Sequence, residues 1–445
     1  MVDSVRGLLL IVAVVATAGV ALFRPFTGLM GFLVFSIANP QSLVWSVQIP
    51  PVMPIAGATI LGYVVSREPK RLPRAPETYM LLGLWAVFVV STLTAIYPDL
   101  AFPFLTHISK ILLMVFISMA LVTTKERLVT LLRVIVLSLG VIGLKAGVFA
   151  ISTGGQYMIW GPENSFLESN NTIGVALAMN LPLLFYFRQL EQRRWLRYLM
   201  LAMMLLSYPA IVCTFSRGAW LTTAVATGFI VWKNRFRWLA VPAILLTLPL
   251  LSAEMFPDRV VSRYSDLQNY EEEASAQSRF WNWEFCRRVG VARPLTGAGF
   301  NFPSETTVRE YYPEFYAVWP GKVWACHSTW MTVFAEHGIP GFALWVGLLG
   351  ACFVSTRRVR SLAKQTGAEG AWTVPVADMV QGALLAYVVG GTFVDLNYFD
   401  IFYQLVAVCV LLKSLAPKTP ARATAPSRSG PRGPFGRGAV VSPEG

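Results

Sequence analysis

Long apolar runs separated by short polar stretches dominate the sequence. A run of about 20 mostly apolar residues can cross a bilayer as a helix, and runs near this length occur at twelve places. The predicted spans lie near residues 7–38, 52–65, 79–96, 104–122, 130–151, 172–187, 196–214, 218–232, 237–252, 328–353, 376–394 and 398–413. This pattern predicts an all-α, polytopic integral membrane protein of about twelve transmembrane helices.

The first apolar run leaves its number of crossings open. At 1.5 Å per residue it would be about 48 Å long, which is too long for one upright helix, and Arg24-Pro25 interrupts it. It is either one kinked crossing or a pair of short segments. A secretory signal peptide is a less favoured alternative, because Asp3 offsets Arg6 where such a peptide should be positive.

The polar stretches divide the chain further. We predict N-terminal transmembrane helices at 1–253, a large external segment at 254–326, C-terminal transmembrane helices at 327–415 and a tail at 416–445. The external segment is long for a mere connection, and its many aromatic residues are of the kind that stack on sugars or lie at the lipid interface. The tail is rich in Pro, Gly, Ser and Arg, which predicts a disordered cytoplasmic tail.

Composition and charge agree with this interpretation. Apolar residues make up 55% of the chain and charged residues 14%, against roughly 45–50% and about 25% in soluble domains. The net charge of +13 does not indicate a nucleic-acid partner, because Lys and Arg collect in alternate loops. The basic loops lie at 66–78, 125–133, 188–197, 233–237 and 357–364, whereas 39–51, 97–103 and 152–171 contain no Lys or Arg.

Cytoplasmic loops carry the excess of Lys and Arg in membrane proteins. The basic loops are therefore predicted to be cytoplasmic, and segment 254–326 to lie outside the cytoplasm. By the same alternation, the N-terminus is cytoplasmic if residues 7–38 cross once and external if they cross twice.

Two lysines fall inside apolar spans, which is unusual. A charged side chain in a membrane helix costs roughly 2.5–3.5 kcal/mol on insertion scales, so it usually faces a cavity or has a partner. Lys110 and Lys145 both map toward the external side, and His107 shares a helical face with Lys110. Snorkelling to the interface would explain either lysine alone. Their convergence favours a basic pocket for an anionic headgroup.

Arg217 and His327 lie at span ends on the same predicted side. Arg217 occupies a short turn, where it is either an interfacial arginine at a helix end or a bidentate phosphate ligand. His327 stands where segment 254–326 re-enters the membrane. A lone histidine is more often structural, but the chain has only 3 His, and imidazole is well matched to proton transfer near neutral pH. His337 is a secondary candidate, deeper along the same helix.

The five cysteines suggest structural roles. Cys213, Cys352 and Cys409 lie in spans, as small buried hydrophobic residues. Cys286 and Cys326 both lie in the external segment, where an oxidising compartment would permit a disulfide, although single loop cysteines are also common. No CxxC, HExxH or Cys/His pair with metal-ligand spacing occurs in the sequence, so no metal site is predicted.

Three stretches resemble motifs of the O-antigen ligase family and its relatives, the O-antigen polymerases and protein O-oligosaccharyltransferases. FSRGAW (215–220) is similar to the family's short periplasmic Ser-Arg-Gly turn, and SRFWNWEFCRRVGVARPLTGAGF (278–300) to its Arg, Trp, Pro-Leu-x-Gly-x-Gly stretch. HSTWMTVFAEHGIPG (327–341) resembles its His-Asn-x-x-Leu block ending in Glu-x-Gly-x-x-Gly, with Ser328 in place of Asn and His337 where Leu is common. The N-terminal RPFTGLMGFLVFSIANPQSLVW resembles a subgroup of O-glycosylation ligases found beside exosortase systems.

The resemblance implies a glycosyltransferase of the bacterial inner membrane that acts at the periplasmic face without a metal ion or other cofactor. It would transfer a glycan from undecaprenyl diphosphate to lipid A-core oligosaccharide, with inversion at the anomeric carbon. Matched by motif, Arg217 and Arg279 correspond to the family's two essential arginines and His327 to its essential histidine. Lys110, Lys145 and His107, as diphosphate-binding candidates, come from the spans alone.

Other functions remain open on the sequence. A protein or a second lipid-linked glycan could replace lipid A-core as the acceptor, as in an O-oligosaccharyltransferase or a polymerase. A transporter or flippase of lipid-linked sugars would also carry intramembrane lysines, but near the midplane and open to both sides. A structural scaffold would leave Arg217, Arg279 and His327 far apart, whereas an enzyme must bring them within reach of one diphosphate.

Overall fold

The computed structural model describes residues 2–43, 51–233 and 278–417, in which helices are joined by turns and loops and no β-strand occurs. The predicted span 237–252, the first part of segment 254–326 and most of the tail lie outside these ranges. The helices are α1 Val2–Phe23, α2 Pro25–Ile37, α3 Val52–Val65, α4 Pro76–Leu93, α5 Pro98–Leu121, α6 Lys125–Ser152, α7 Asn170–Leu190, α8 Arg194–Val212, α9 Arg217–Lys233, α10 with its described part at 278–292, α11 Glu305–Tyr311, α12 Pro313–Val318, α13 Thr329–Thr366, α14 Thr373–Gly390 and α15 Asp400–Leu415.

Eight of the described helices are long and apolar enough to cross a membrane, and α2 and α3 are shorter apolar helices. The predicted all-α, multi-pass membrane fold is confirmed. The helices α7, α14 and α15 are the most deeply buried and form the centre of the bundle. Near them, Gly143 and Gly147 of α6 lie against Ser207 and Leu206 of α8, the close approach that small residues allow between membrane helices.

The first apolar run folds as a helical hairpin. Helix α1 ends at Phe23, Arg24 has a non-helical backbone, and Pro25 starts α2, which is where proline is best tolerated. A β-carbon on Gly28 would meet Ala21 and one on Gly31 would meet Thr17, so the two helices run antiparallel. Residues 7–38 are therefore a pair of segments and not one kinked helix.

Several helices begin earlier than the hydropathy pattern predicted. Helix α5 starts at Pro98, with Asp99 in its first turn, and not near residue 104. Proline at the first position and an acid in the first turn both favour a helix start. The hydropathy pattern placed residues 97–103 in a loop, but Pro103 lies inside the helix, which membrane helices tolerate.

Ion pairs gather the basic loops at one end of the bundle. Arg127 pairs with Glu68 at 2.7 Å, Arg133 with Glu191 at 3.0 Å. Lys233 pairs with Asp378 at 2.9 Å and Lys413 with Glu77 at 3.6 Å. Lys125 also stacks on Trp372, 5.4 Å from the ring centroid. We call this the basic end, and the opposite end, which holds Arg217 and His327, the site end.

The described part of the external segment, residues 278–326, is here called the inserted segment. It has its own small core around Phe285, Val289, Phe302 and Phe315. A disulfide joins Cys286 to Cys326, the pairing that the sequence left open. Backbone hydrogen bonds attach the segment to the bundle, with Ile96 N–H donating to Ala298 at 2.8 Å and Ala298 N–H donating to Ala335 at 2.8 Å.

Candidate functional site

Arg217 stands at the N-terminus of α9. The preceding turn is tight, since Phe215 has a φ of 52°, a backbone conformation that non-glycine residues rarely adopt. The Ser216 hydroxyl accepts a hydrogen bond from Ala219 N–H at 3.3 Å and so caps the helix. A cation at a helix N-terminus opposes the helix dipole, whereas an anion there is stabilised. Arg217 and the helix terminus together favour a bound anion.

Arg279 lies beside Arg217, although some 60 residues separate them along the chain. Its guanidinium stacks 5.7 Å from the ring centroid of Phe393. Phe393 also packs against the start of α9, because a β-carbon on Gly218 would lie 3.0 Å from its Cβ. Partial burial lowers the pKa of Arg279, and the positive charge of Arg217 lowers it further. Two mutually repelling guanidinium groups form a site that an anion would stabilise.

His327 is held by Asp395. The two oxygens of this carboxylate accept hydrogen bonds from the backbone N–H groups of His327 and Ser328, each at 3.1 Å, and the Thr332 hydroxyl also donates to it. Asp395 therefore caps the N-terminus of α13 from another part of the chain. The His327 imidazole is half exposed, and its Nδ1 lies 3.8 Å from Asp395 Oδ2.

The backbone of His327 is strained in the same way as that of Phe215. Its φ is 50°, and such non-glycine outliers persist only where the surroundings fix them. The hydrogen bonds to Asp395 supply that constraint. The imidazole therefore leaves the chain in a direction set by the carboxylate and not by the helix alone.

The loop between α14 and α15, residues 391–399, joins all three predicted residues. Its Phe393 contacts Arg279 and the helix start at Arg217, and its Asp395 holds His327. Sequence reasoning missed this loop, because a short stretch between two apolar spans carries no motif. One signal was available, namely an aspartate in a loop on the predicted external side, beside a span end.

A buried polar network lies behind the site, at a kink in α13. Glu336 accepts hydrogen bonds from Asn301 N–H at 3.0 Å, from Asn397 at 3.3 Å and from the Tyr398 hydroxyl. His337 Nε2 lies 3.0 Å from the Tyr398 hydroxyl, and its Nδ1 lies 2.8 Å from Ser91 Oγ. The network ties α4, the inserted segment and loop 391–399 to α13. His337 is thus a fully buried structural residue.

His107, Lys110 and Lys145 are exposed on their helices. Helix α5 begins at Pro98, so Lys110 lies about three turns from the site end, deeper than the sequence predicted. Neither lysine makes a hydrogen bond or ion pair with another described residue, and no such contact joins them to Arg217, Arg279 or His327. Phe104, one turn from His107, stacks on Phe300 with centroids 6.4 Å apart, and Phe300 packs against His337.

The chemistry available at the site end is proton transfer and anion binding. Two guanidinium groups, one helix N-terminus and a histidine whose backbone N–H is bound by a carboxylate adjoin loop 391–399. Across the three described ranges, no group of three or more His, Cys, Asp or Glu side chains is placed to hold a metal ion.

Residues 201–346 match the sequence model of the O-antigen ligase family. The chain carries an O-antigen ligase domain. The matched region contains Arg217, Arg279 and His327 and ends before loop 391–399. Residues 5–192 match a second family, described as one of unknown function. No curated protein shows significant sequence similarity to the chain.

The ligase domain supports glycan transfer of the ligase or polymerase type, in a membrane and with a lipid-linked donor. It also accounts for the motif resemblances in its range. The likeness of the N-terminal stretch to ligases found beside exosortase systems stays a prediction.

Proposed function

We propose that the protein transfers a glycan from undecaprenyl diphosphate to a lipid A-core acceptor at the periplasmic face of the bacterial inner membrane. The observation that carries this proposal is the grouping of Arg217, Arg279 and His327 around loop 391–399. These residues come from distant parts of the chain and adjoin the same loop, an arrangement that a scaffold protein does not require.

The two arginines would bind the diphosphate of the donor. Cleavage of the bond between the anomeric carbon and the diphosphate leaves the electron pair on the departing oxygen, so fixed cations aimed at that oxygen stabilise the transition state. Arg217 and Arg279 supply two planar donors, and the N-terminus of α9 adds its backbone N–H groups. Repulsion between the guanidinium groups is relieved when a dianion lies between them.

His327 would accept the proton of the acceptor hydroxyl. As that proton moves to the imidazole, the acceptor oxygen attacks the anomeric carbon from the side opposite the diphosphate, which inverts the configuration. The imidazolium that forms lies 3.8 Å from the Asp395 carboxylate, and this proximity stabilises its positive charge. Asp395 is a positioning residue in this scheme, because it touches His327 and not the substrate.

The distribution of Lys and Arg and the position of the disulfide support an assignment of each end of the bundle to one side of the membrane. The basic end carries the Lys and Arg clusters typical of cytoplasmic loops. The disulfide between Cys286 and Cys326 lies on the opposite side, and disulfides persist in oxidising compartments such as the periplasm. Both features favour a periplasmic site end.

Three further side chains would assist donor binding by attracting the anionic headgroup along the membrane-facing surface. They are Lys110, Lys145 and His107, which lies beside Lys110. Both lysines are exposed on α5 and α6 and do not line a central path. Buried apolar side chains of α7, α14 and α15 fill the described centre of the bundle. Both observations argue against a transporter. We therefore place these lysines on the approach to the site.

The acceptor is tested by reconstitution. The purified chain in lipid vesicles is supplied with an undecaprenyl-diphosphate-linked glycan and, separately, with lipid A-core, a pilin-like protein or a second lipid-linked glycan. Product on lipid A-core supports the proposal. Product only on the protein or only on the second glycan would instead identify an O-oligosaccharyltransferase or a polymerase.

A further inference from the structure

The inserted segment carries a cluster of aromatic rings that the transfer chemistry does not use. Its rings come from α10, from α12 and from the residues that follow α12. Trp281 packs on Phe315 with centroids 5.5 Å apart and on Trp319 at 6.1 Å. Phe315, which is buried, also contacts Trp324 at 5.7 Å. We call this cluster the aromatic patch, and it consists of Trp281, Tyr312, Phe315, Trp319 and Trp324 with the cations Arg288 and Lys322.

A tight turn positions the exposed side of the aromatic patch. Residues 319–322 read Trp-Pro-Gly-Lys, and Lys322 N–H donates to the Trp319 carbonyl at 3.3 Å. Gly321 has a φ of 78°, so the turn has the proline and glycine placement of a type II β-turn. The turn brings Lys322 Nζ to 4.1 Å from the Trp319 ring centroid and 5.6 Å from that of Trp324. Lys322 makes no ion pair with any described residue.

No described residue accepts a hydrogen bond from the indole N–H groups of the patch. Within the described ranges, those of Trp281, Trp319 and Trp324 donate no hydrogen bond, and none of the three is fully buried. Tryptophan usually finds a partner for this donor when it is buried. The patch thus combines flat aromatic faces with indole N–H and ammonium donors. A saccharide matches this combination, because it offers both apolar ring faces and hydroxyl acceptors.

A lipid surface fits the patch less well, because two carboxylates lie beside its cation Arg288. Arg288 stacks over Tyr312 at 4.3 Å and pairs with Glu314 at 2.9 Å, and the same arginine pairs with Glu284 at 2.9 Å. Hydrogen bonds from Arg287 and Arg288 lower the pKa of Glu284 to about 2, so it stays ionised. Ionised carboxylates are costly in hydrocarbon, whereas they are compatible with a hydrated sugar.

The patch lies close to the proposed reaction centre. Trp324 precedes His327 by three residues, a span of at most about 11 Å, and the disulfide at Cys326 attaches this stretch to α10. Trp281 follows Arg279 by two residues on α10. We propose that the aromatic patch is a saccharide subsite that binds sugar units of a substrate beyond the unit that reacts. This inference rests on the proposed function, since it takes His327 as the point of transfer.

Direct binding tests the subsite without relying on transfer. The full chain in nanodiscs is titrated with two free oligosaccharides, the core oligosaccharide released from lipid A-core and the glycan released from the undecaprenyl-diphosphate donor, and binding is followed by saturation-transfer NMR. The probe that binds identifies whether the subsite serves the acceptor or the donor.

The variants are Trp319→Ala and Lys322→Ala, and Trp195→Ala, an exposed tryptophan at the basic end, is the matched control. We expect Trp319→Ala to weaken binding about tenfold and Trp195→Ala to have no effect. Lys322→Ala removes only an exposed side chain and keeps the fold, and it should weaken binding severalfold.

The subsite would be refuted if neither oligosaccharide bound the wild-type chain, or if both patch variants bound as tightly as the wild type. The proposed function fails by a different result, namely absence of transfer by a wild-type chain that still binds an oligosaccharide.

Discussion

Asp395 fixes the position of His327 at the start of α13. Its carboxylate accepts from two successive backbone N–H groups and lies 3.8 Å from the His327 ring nitrogen. This one side chain thus caps α13 and fixes the positive-φ backbone of His327. Its negative charge would also stabilise an imidazolium at that residue. The role is one of positioning, so its loss should affect turnover more than substrate binding.

We expect Asp395→Asn to lower kcat by about 10- to 100-fold with little change in either KM, because a misplaced base slows the reaction step. Initial rates of glycan transfer measure this. Asp99→Asn, which changes an exposed aspartate in the first turn of α5, is the control and should behave as wild type. A wild-type kcat for Asp395→Asn would remove Asp395 from the mechanism.

Arg217 and Arg279 should behave as a coupled pair, because each lies in the field of the other. We expect Arg217→Gln and Arg279→Gln each to reduce kcat/KM for the donor by about 100-fold or more. The double variant should lose less than the product of the two, with a coupling energy of about 0.5–3 kcal/mol. The exposed Arg309→Gln in α11 is the control. Strictly multiplicative losses would argue against one shared diphosphate.

At the scale of elements, the kink in α13 determines how the inserted segment meets the bundle. Gly338 has φ 63° and ψ −165°, a region that essentially only glycine occupies. Its backbone lies against Pro294, and Ile339 N–H donates to the Pro294 carbonyl at 2.7 Å. The kink and the Glu336 network thus hold the segment that carries Arg279 and the aromatic patch.

We expect Gly338→Ala to destabilise the protein by about 1–3 kcal/mol or more. The strained backbone is one cause, and the other is that the new β-carbon would lie 2.5 Å from the Pro294 carbonyl oxygen. Gly350→Ala in the same helix meets nothing within 4 Å and should be neutral or slightly stabilising. Thermal unfolding in detergent compares the two. Equal melting temperatures would show that the kink is not needed.

The sequence predicted the helices more accurately than the contacts between them. Apolar runs predicted helices because a membrane helix satisfies its own backbone and needs only length and hydrophobicity. The start of α5 was missed because residues 97–103 were assigned to a loop, and the hairpin at Arg24 stayed open because one proline fits either a kink or a turn. Loop 391–399 was missed because Asp395 acquires its role only through contact with a helix start 68 residues earlier.

For the whole molecule, the two ends of the bundle are chemically distinct. The basic end is held together by ion pairs, and the site end by hydrogen bonds, aromatic packing and a disulfide. The alternation of basic loops in the sequence predicted which loops meet, because every crossing reverses the side. The arginines and His327 could be chosen from sequence only through motif resemblance. Their proximity is a property of the folded chain.

The two ends should lie on opposite sides of the membrane. We expect a cysteine from Ala317→Cys, in α12, to react with an impermeant maleimide in cells with a permeable outer membrane. One from Ala368→Cys, at the basic end, should react only after the inner membrane is opened. The native cysteines are buried or disulfide-bonded, so they give little background. Labelling of both positions in intact cells would contradict the predicted topology.

The most direct test of the central claim is transfer by the purified chain in vesicles, with an undecaprenyl-diphosphate-linked glycan as donor and lipid A-core as acceptor. The account predicts glycan-modified lipid A-core with the wild-type protein and a loss of about 10²- to 10⁴-fold with His327→Ala, while the variant keeps the wild-type melting temperature. Near-normal transfer by a folded His327→Ala protein would contradict it.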